Sequence, residues 1–131
     1  MSNPVRPPHP NALPNYGEAV IQEDKLRRYA LSSEHVSSVE GKSSGKDKAW
    51  VFEKKLGFTA IHWEVLKQRI LDELPYHEAK LGIADEYGQR YEVILPIIGI
   101  NEETENIITA WIIKPGTGYP RLTSTYVFKR K

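Results

Sequence analysis

The chain has 131 residues, a formal net charge of +1 and no cysteine. This length predicts one domain with a single hydrophobic core. The lack of cysteine excludes disulfides and thiolate metal sites, and it favours a reducing, cytoplasmic setting. No apolar run approaches the ~20 residues that a membrane span requires, and the near-neutral charge gives no strong sign of nucleic-acid binding.

The first half of the sequence predicts a tail followed by helices. Residues 1–17 are rich in Pro and Asn and predict a flexible tail, so that the domain spans residues 18–131. Local patterns then predict a short strand at 19–21, a short helix at 22–31 and a Ser-rich loop at 32–45. Two longer helices are predicted at about 46–56 and about 60–74. Gly57 is expected to end the first longer helix, and Thr59 to cap the start of the second.

The second half of the sequence changes from helical to strand periodicity. Alternating apolar residues, many of them β-branched or aromatic, predict four strands at 79–83, 90–98, 106–114 and 121–128. The connections are short, and short connections favour an antiparallel meander because parallel pairs need long crossovers. We therefore predict an α+β fold, with N-terminal helices packed on a C-terminal antiparallel sheet of about four strands.

The last strand carries polar residues that suit an anionic ligand. Alternation places Ser124 and Tyr126 on one face while Thr125 points away, and Arg121 stands at the start of the strand. A hydroxyl, a phenol and a guanidinium together are typical of acid/base chemistry on a phosphodiester. The alternative interpretation makes Arg121 a surface partner of a glutamate, Ser124 a small packed residue and Tyr126 a core aromatic. Trp111, on the preceding strand, is predicted to be a core residue.

A lysine and a histidine from the first half are candidates for the same site. Lys48 falls on or beside the apolar stripe of its helix, so its ammonium either reaches the solvent rim or points at a bound anion. Lys46 is the competing lysine, at the helix start. Of the four histidines, His35 is the candidate, because it lies in the Ser-rich loop before this helix, near Lys48 in sequence. No histidine pair has the spacing of a helical zinc site, so the sequence predicts no metal and no cofactor.

Charge is distributed unevenly over the second half. Residues 76–106 contain seven acidic and two basic residues, whereas all five charged residues of 107–131 are basic. This asymmetry is compatible with an anion-binding edge. The alternative is that the terminal lysines and arginine keep the chain soluble and protect a sheet edge from pairing with another chain.

Several segments, spread over nearly the whole chain after the tail, resemble a family of small, largely uncharacterised bacterial domains. The two most specific are Gly45-Lys-Asp-Lys-Ala49 and Pro120-Arg-Leu-Thr-Ser-Thr-Tyr126. Further matching segments are Leu13-Pro-Asn-Tyr-Gly-Glu-Ala-Val-Ile21, Lys25-Leu-Arg-Arg-Tyr-Ala-Leu31, Leu56-Gly-Phe58, Tyr87-Gly-Gln-Arg-Tyr91 and Thr109-Ala-Trp-Ile-Ile113. Members of this family often look like toxin components.

The resemblance also implies a fold and a site. The layout is similar to that of barnase-like, EndoU-like and RelE-like ribonuclease toxins, which work without metal. In those folds a histidine and a lysine from the helical half face a [Ser/Thr]-x-[Tyr/Phe] motif on a late strand. By this resemblance the catalytic roles fall on His35, Lys48, Ser124 and Tyr126, with Arg121 as the phosphate ligand. The family usually has His-Pro just before the glycine of the lysine motif, whereas here Val36 and a Ser-rich insertion follow His35.

Two functional hypotheses follow. The first is a bacterial cytosolic toxin that cleaves single-stranded or loop RNA and has a cognate antitoxin or immunity protein. His35 or Tyr126 moves protons in this hypothesis, while Lys48 and Arg121 stabilise the developing charge. The second is a non-enzymatic interaction domain, either immunity- or antitoxin-like or an accessory protein-binding module. Its acidic middle segment is then the binding face.

Overall fold

Helices form the first half of the domain and an antiparallel sheet forms the second half. The computed structural model describes residues 6–31 and 44–128, with side chains from residue 48 onward in the second range. After a π-helical segment at Lys25–Ala30 come helix α1 (Ser44–Leu56) and helix α2 (Trp63–Glu73). The strands are β1 (Ala79–Asp85), β2 (Gly88–Ile98), β3 (Thr104–Ile113) and β4 (Pro120–Val127). Short 3-10 turns occupy Tyr16–Glu18, Ala60–His62 and Leu74–Tyr76.

The four strands form one sheet in the order β1-β2-β3-β4, with every neighbouring pair antiparallel. Helix α1 packs against β3 and β4, while α2 packs against β2. The predicted α+β architecture is therefore confirmed. Among the described residues, no helix combines the length and the apolar character needed to cross a lipid bilayer.

The inner face of the sheet, which meets the helices, carries the hydrophobic core. Phe52 and Leu56 from α1 and Leu66 and Ile70 from α2 pack there in one cluster with Trp111, as predicted for that tryptophan. The other sheet residues of the cluster are Val93, Leu95, Ile97, Ile107, Leu122 and Val127. Helical spacing and strand alternation deliver these side chains to a common layer, and their burial supplies most of the driving force for folding.

Two buried threonines interrupt this apolar face, and both are satisfied. The indole N–H of Trp111 donates to the Thr109 hydroxyl at 2.8 Å, and that hydroxyl donates to the Val93 carbonyl, also at 2.8 Å. The Thr125 hydroxyl donates to the Ile108 carbonyl at 2.7 Å. The two threonine hydroxyls and the indole N–H are therefore buried away from water, but each of them has a hydrogen-bond partner within the sheet.

Two glycines fix the end of α1 against the sheet. Gly57 has φ +76, the left-handed conformation that glycine adopts without a Cβ penalty, and it ends α1 as predicted. Gly99, in the β2–β3 loop, lies so close to the Leu56 carbonyl that a Cβ on residue 99 would overlap it. The C-terminal end of α1 is thereby held against the β2–β3 loop.

The N-terminal segment is more tightly attached than the sequence predicted. Leu13, which falls in the predicted flexible tail, is only 1% exposed and belongs to the core cluster. The backbone N–H of His9 donates to the Pro75 carbonyl, and the Asn11 carbonyl accepts from the Ala79 N–H. The predicted short strand at 19–21 is present as one parallel bridge between Val20 and Arg121.

A β-bulge in β4 changes which side chains share a face. Ala110 pairs with Ser124 and Trp111 pairs with Leu122, so Thr123 has no partner on β3. The Thr123 hydroxyl donates to the Ala110 carbonyl at 3.1 Å. Because the bulge inserts one residue, Arg121 and Ser124 lie on the same face although three positions separate them.

Candidate functional site

The face of the sheet opposite the core, here called the outer face, carries the candidate site. Its β4 residues are Arg121, Ser124 and Tyr126, which pair with Ile112, Ala110 and Ile108 on β3. Those three β3 residues pair in turn with Arg90, Glu92 and Ile94 on β2. Since directly paired residues point to the same side of a sheet, these nine side chains form three rows across the outer face.

The three predicted β4 residues are only partly covered. Arg121, Ser124 and Tyr126 are all half-buried, whereas Leu122, Thr125 and Val127 between them are buried on the inner face. Tyr126 is outside the core cluster. The Arg121 guanidinium has no carboxylate within 4 Å among the described residues, so the alternative interpretation, a pairing with a glutamate, is not found there. This leaves the guanidinium available to an anionic ligand.

Lys48 joins this group from the helical layer. Its ammonium lies 4.9 Å from the centroid of the Tyr126 ring, within the range of a cation–π contact. Lys48 precedes Phe52 by one helical turn. The aliphatic part of its side chain therefore starts beside the buried residues of α1, and its ammonium reaches Tyr126 on β4. The structure thus places three of the five predicted site residues on one face of the sheet and a fourth, Lys48, against one of them, Tyr126.

The fifth residue, His35, lies outside the described residues, as does the side chain of Lys46. The other histidines have local structural partners. His62 Nδ1 accepts the Thr59 backbone N–H at 3.0 Å, which caps the turn leading into α2. His77 Nε2 lies 2.9 Å from a Glu73 carboxylate oxygen. His9 Nδ1 accepts the Asn11 N–H in the N-terminal segment.

Glu92 is an outer-face residue that the sequence analysis did not single out. It lies in the same row as Ser124, with only the small Ala110 between them. Two strand spacings separate the Glu92 and Ser124 backbones by about 10 Å, which leaves room for a sugar-phosphate between the side chains. Glu92 pairs across the strands with Lys80 on β1, but its carboxylate has no cation within 4 Å among the described residues. Alternation with Tyr91 and Val93 was the signal that could have revealed it.

Arg90, the neighbour of Glu92 along β2, is already engaged. Its guanidinium lies 2.9 Å from an Asp85 carboxylate oxygen. The Tyr87 backbone N–H and, after it, this guanidinium lower the pKa of Asp85 below its ordinary value. Arg90 therefore stabilises the β1–β2 turn, and Arg121 is the guanidinium on this face without such a partner among the described residues.

The described residues contain no group of three or more His, Asp or Glu side chains placed to hold a metal ion. The arrangement they do contain is one of fixed cations, hydroxyls and a carboxylate. Such groups bind a phosphate through charge-assisted hydrogen bonds and exchange protons with it.

Comparison with protein families gives a match over residues 12–129 to the domain of unknown function DUF6883. The chain belongs to this family. The match begins at residue 12, which agrees with the burial of Leu13 in the core of this DUF6883 domain. No curated protein matched the chain in sequence.

A solved structure shares the fold of the DUF6883 domain. It is a chain of a contact-dependent growth inhibition toxin–immunity protein complex from Klebsiella pneumoniae 342. The superposition has a TM-score of 0.66 and covers 88% of this chain and 97% of that chain, at 14% sequence identity. At this identity the similarity establishes a common fold.

Proposed function

We propose that this domain is the ribonuclease toxin of a bacterial toxin–immunity system, and that it cleaves single-stranded or loop RNA without metal. The observation that carries the proposal is the presence of Arg121, Ser124 and Tyr126 on one half-buried face, with the Lys48 ammonium against the Tyr126 ring. The shared fold with a chain of a toxin–immunity complex supports the biological setting.

The proposed reaction is an internal transesterification. The 2′-hydroxyl of a ribose attacks the adjacent phosphorus, the bond from phosphorus to the 5′-oxygen breaks, and the products carry a 2′,3′-cyclic phosphate and a 5′-hydroxyl. Negative charge increases on the phosphoryl oxygens in the transition state. Arg121 stabilises that charge through a bidentate contact, while Lys48 and Ser124 donate from the helix side and the strand.

Two proton transfers accompany these bond changes. The 2′-hydroxyl must lose a proton, and Glu92 is an unpaired carboxylate across the face from Ser124 that can accept it. The 5′-oxygen must gain a proton, and Tyr126 or His35 donates it. In this assignment the scissile phosphate lies over Ala110, the small residue between Glu92 and Ser124, because a larger side chain there would occupy the same volume.

The test is RNA cleavage by purified protein, expressed under tight repression. Wild type is incubated with total RNA and with a defined single-stranded RNA, beside the double variant Arg121→Ala/Tyr126→Phe and the single variant Glu92→Gln. Each variant is expected to lose roughly 10²-fold or more in rate, since each removes charge stabilisation or a proton carrier. The cleaved ends are assayed for a 2′,3′-cyclic phosphate.

A matched double variant, Arg28→Ala/Tyr87→Phe, removes the same functional groups from exposed positions on the π-helical segment and the β1–β2 turn. It should cleave as wild type does. Circular dichroism confirms that all variants are folded. Equally negligible cleavage by wild type and by the Arg121/Tyr126 variant would end the ribonuclease proposal.

A second candidate function is a non-enzymatic interaction domain of the same kind of system. Leu81, Ile83 and Tyr87 favour it, because these large apolar side chains on the β1–β2 hairpin are 62–74% exposed. Exposed apolar clusters of this sort often mark protein interfaces. Expression discriminates between the candidates: a toxin stops the growth of its host when no partner is present, and an interaction domain does not.

A further inference from the structure

A concave surface lies at the end of β4, on the side of α1. It is a groove of about 680 Å³ between α1, the start of β3 and the end of β4. The residues that matter here are Trp50, Lys55, Glu105, Asn106 and Phe128, and we call it the Trp50–Phe128 groove. Its volume is in the range of pockets that bind small molecules or single nucleotides.

Two exposed aromatic side chains border the groove. Trp50 is 60% exposed and Phe128 is 36% exposed, although both are large apolar groups that folding normally buries. Planar rings left open to water offer stacking surfaces, and each unpaired nucleobase stacked on an aromatic side chain contributes about 1–3 kcal/mol. The aromatic walls therefore fit a flat, unpaired base.

The polar groups of the groove fit the edges and the phosphate of such a nucleotide. Lys55 lines the groove, and the Lys54 ammonium lies 5.9 Å from the centroid of the Trp50 ring. Asn106 can form paired hydrogen bonds with a base edge, and the carboxylate of Glu105 can accept an amino N–H from a base. Lys54 and Lys55 outnumber Glu105 at the groove, which favours an anionic ligand.

The groove and the candidate site meet at the edge of the sheet formed by β4. Val127 lines the groove from the inner face, whereas Tyr126 belongs to the outer face, and the Lys48 ammonium of α1 contacts the Tyr126 ring across this edge. Along α1, Val51 lines it and follows Lys48 by three residues, which is about one helical turn. A nucleic-acid strand with a phosphate at Lys48 and Tyr126 can therefore pass the β4 edge and place an adjacent base at the groove.

We infer that the Trp50–Phe128 groove binds an unpaired nucleobase of the RNA strand, next to the phosphate held at Arg121 and Tyr126. This inference rests on the proposed function, because it assigns a base-binding site to the same substrate. It explains why two aromatic rings remain exposed beside a cationic helix. A protein partner is the other ligand class for such a groove, and the unpaired hydrogen-bonding side chains and lysines favour the nucleotide.

The test is equilibrium binding of a short, fluorescently labelled 2′-O-methyl oligonucleotide, which lacks the attacking hydroxyl and cannot be cleaved. Fluorescence anisotropy gives Kd for wild type, Trp50→Ala and Phe128→Ala. Each substitution is expected to weaken binding about tenfold, the loss of one stacked base. Tyr87→Ala, an exposed aromatic on the β1–β2 hairpin, is the matched control and should leave Kd unchanged.

A second set of oligonucleotides, each with one abasic position, identifies the contact. One abasic position should weaken wild-type binding about as much as Trp50→Ala does, and should not weaken the Trp50→Ala variant further. If Trp50→Ala weakens binding of the intact strand and of every abasic strand by the same factor, the inference is wrong. It is also wrong if wild type does not bind the oligonucleotide, or if Trp50→Ala and Phe128→Ala both leave Kd unchanged. A groove that captures only a protein partner gives the last result.

Failure of the inference and failure of the proposed function are distinguishable. If the groove binds a base but natural RNA is not cleaved, the groove remains a nucleotide-binding site and the ribonuclease proposal is wrong. If Trp50→Ala and Phe128→Ala cleave RNA and bind the oligonucleotide as wild type does, the ribonuclease proposal remains and the assignment of the groove is wrong.

Discussion

The inner and outer faces of the sheet are built from the same strands but are packed very differently. On the inner face, Trp111, Leu122 and Val127 are at most 5% exposed and contact the helices. On the outer face, Arg121, Ser124 and Tyr126 are half-buried and carry polar groups. Alternate residues of one strand thus form the core on one side and the proposed ligand-binding face on the other, so substitutions on one face should leave the property of the other face largely intact.

The strongest test of this separation replaces one large aromatic on each face. Trp111→Ala should lower the free energy of unfolding by about 3–5 kcal/mol, since it leaves a core cavity and removes an indole hydrogen bond. Tyr126→Ala should lower it less, by about 1–2 kcal/mol, because it removes a cation–π contact and only part of the apolar burial of a ring. Urea denaturation followed by circular dichroism measures both. Similar losses for the two variants would mean that the faces are not energetically distinct.

Removing one hydroxyl group from each face compares the two faces with smaller expected losses of stability. Thr109→Val keeps the shape of the side chain but leaves the Trp111 indole N–H without its acceptor, and should cost about 1–3 kcal/mol. Ser124→Ala should change stability by no more than about 0.5 kcal/mol, because its side chain is half-buried on the outer face. The shift in urea midpoint at unchanged slope reports both values. A larger loss for Ser124→Ala than for Thr109→Val would reverse the assignment of the faces.

The smallest expected effect concerns the turn that joins β1 to β2. The folded pKa of Asp85 lies below its ordinary value of 3.8, chiefly because the Tyr87 backbone N–H bonds to the carboxylate. Its stabilising contribution is therefore fully present above that ordinary value and disappears as the pH falls through the lower folded pKa. Melting temperatures of wild type and Asp85→Asn should differ at neutral pH and converge in acid. A difference that stays constant down to low pH would contradict this.

Regular periodicity made most of the fold predictable. Four runs of alternating apolar residues gave the four strands, and Gly57 marked the end of α1. Leu13 was not predicted to be in the core, because an isolated leucine among prolines and asparagines has no periodicity to reveal its burial. Thr59 was predicted as a cap, but the 3-10 turn at Ala60–His62 that precedes α2 was not, since it depends on the local bond between Thr59 and His62.

The part of the candidate site that depends on the alternation of side chains along β4 was predictable from the sequence. Ser124 and Tyr126 are two residues apart, so their shared face could be derived from the sequence. The Lys48–Tyr126 contact depends on how α1 lies against β4, which no local pattern encodes. Glu92 and the Trp50–Phe128 groove depend on which strands and helices are neighbours, and their roles, like that of His35, remain predictions.

Because Thr123 has no partner on β3, it fixes how many residues separate Arg121 from Ser124 in related sequences. Arg121 and Ser124 must stand three positions apart to lie on the same face, and a strand that lost one residue there would turn the guanidinium toward the core while leaving the hydroxyl and phenol in place. A survey of natural variants should therefore find length changes in the β3–β4 turn far more readily than between positions 121 and 124.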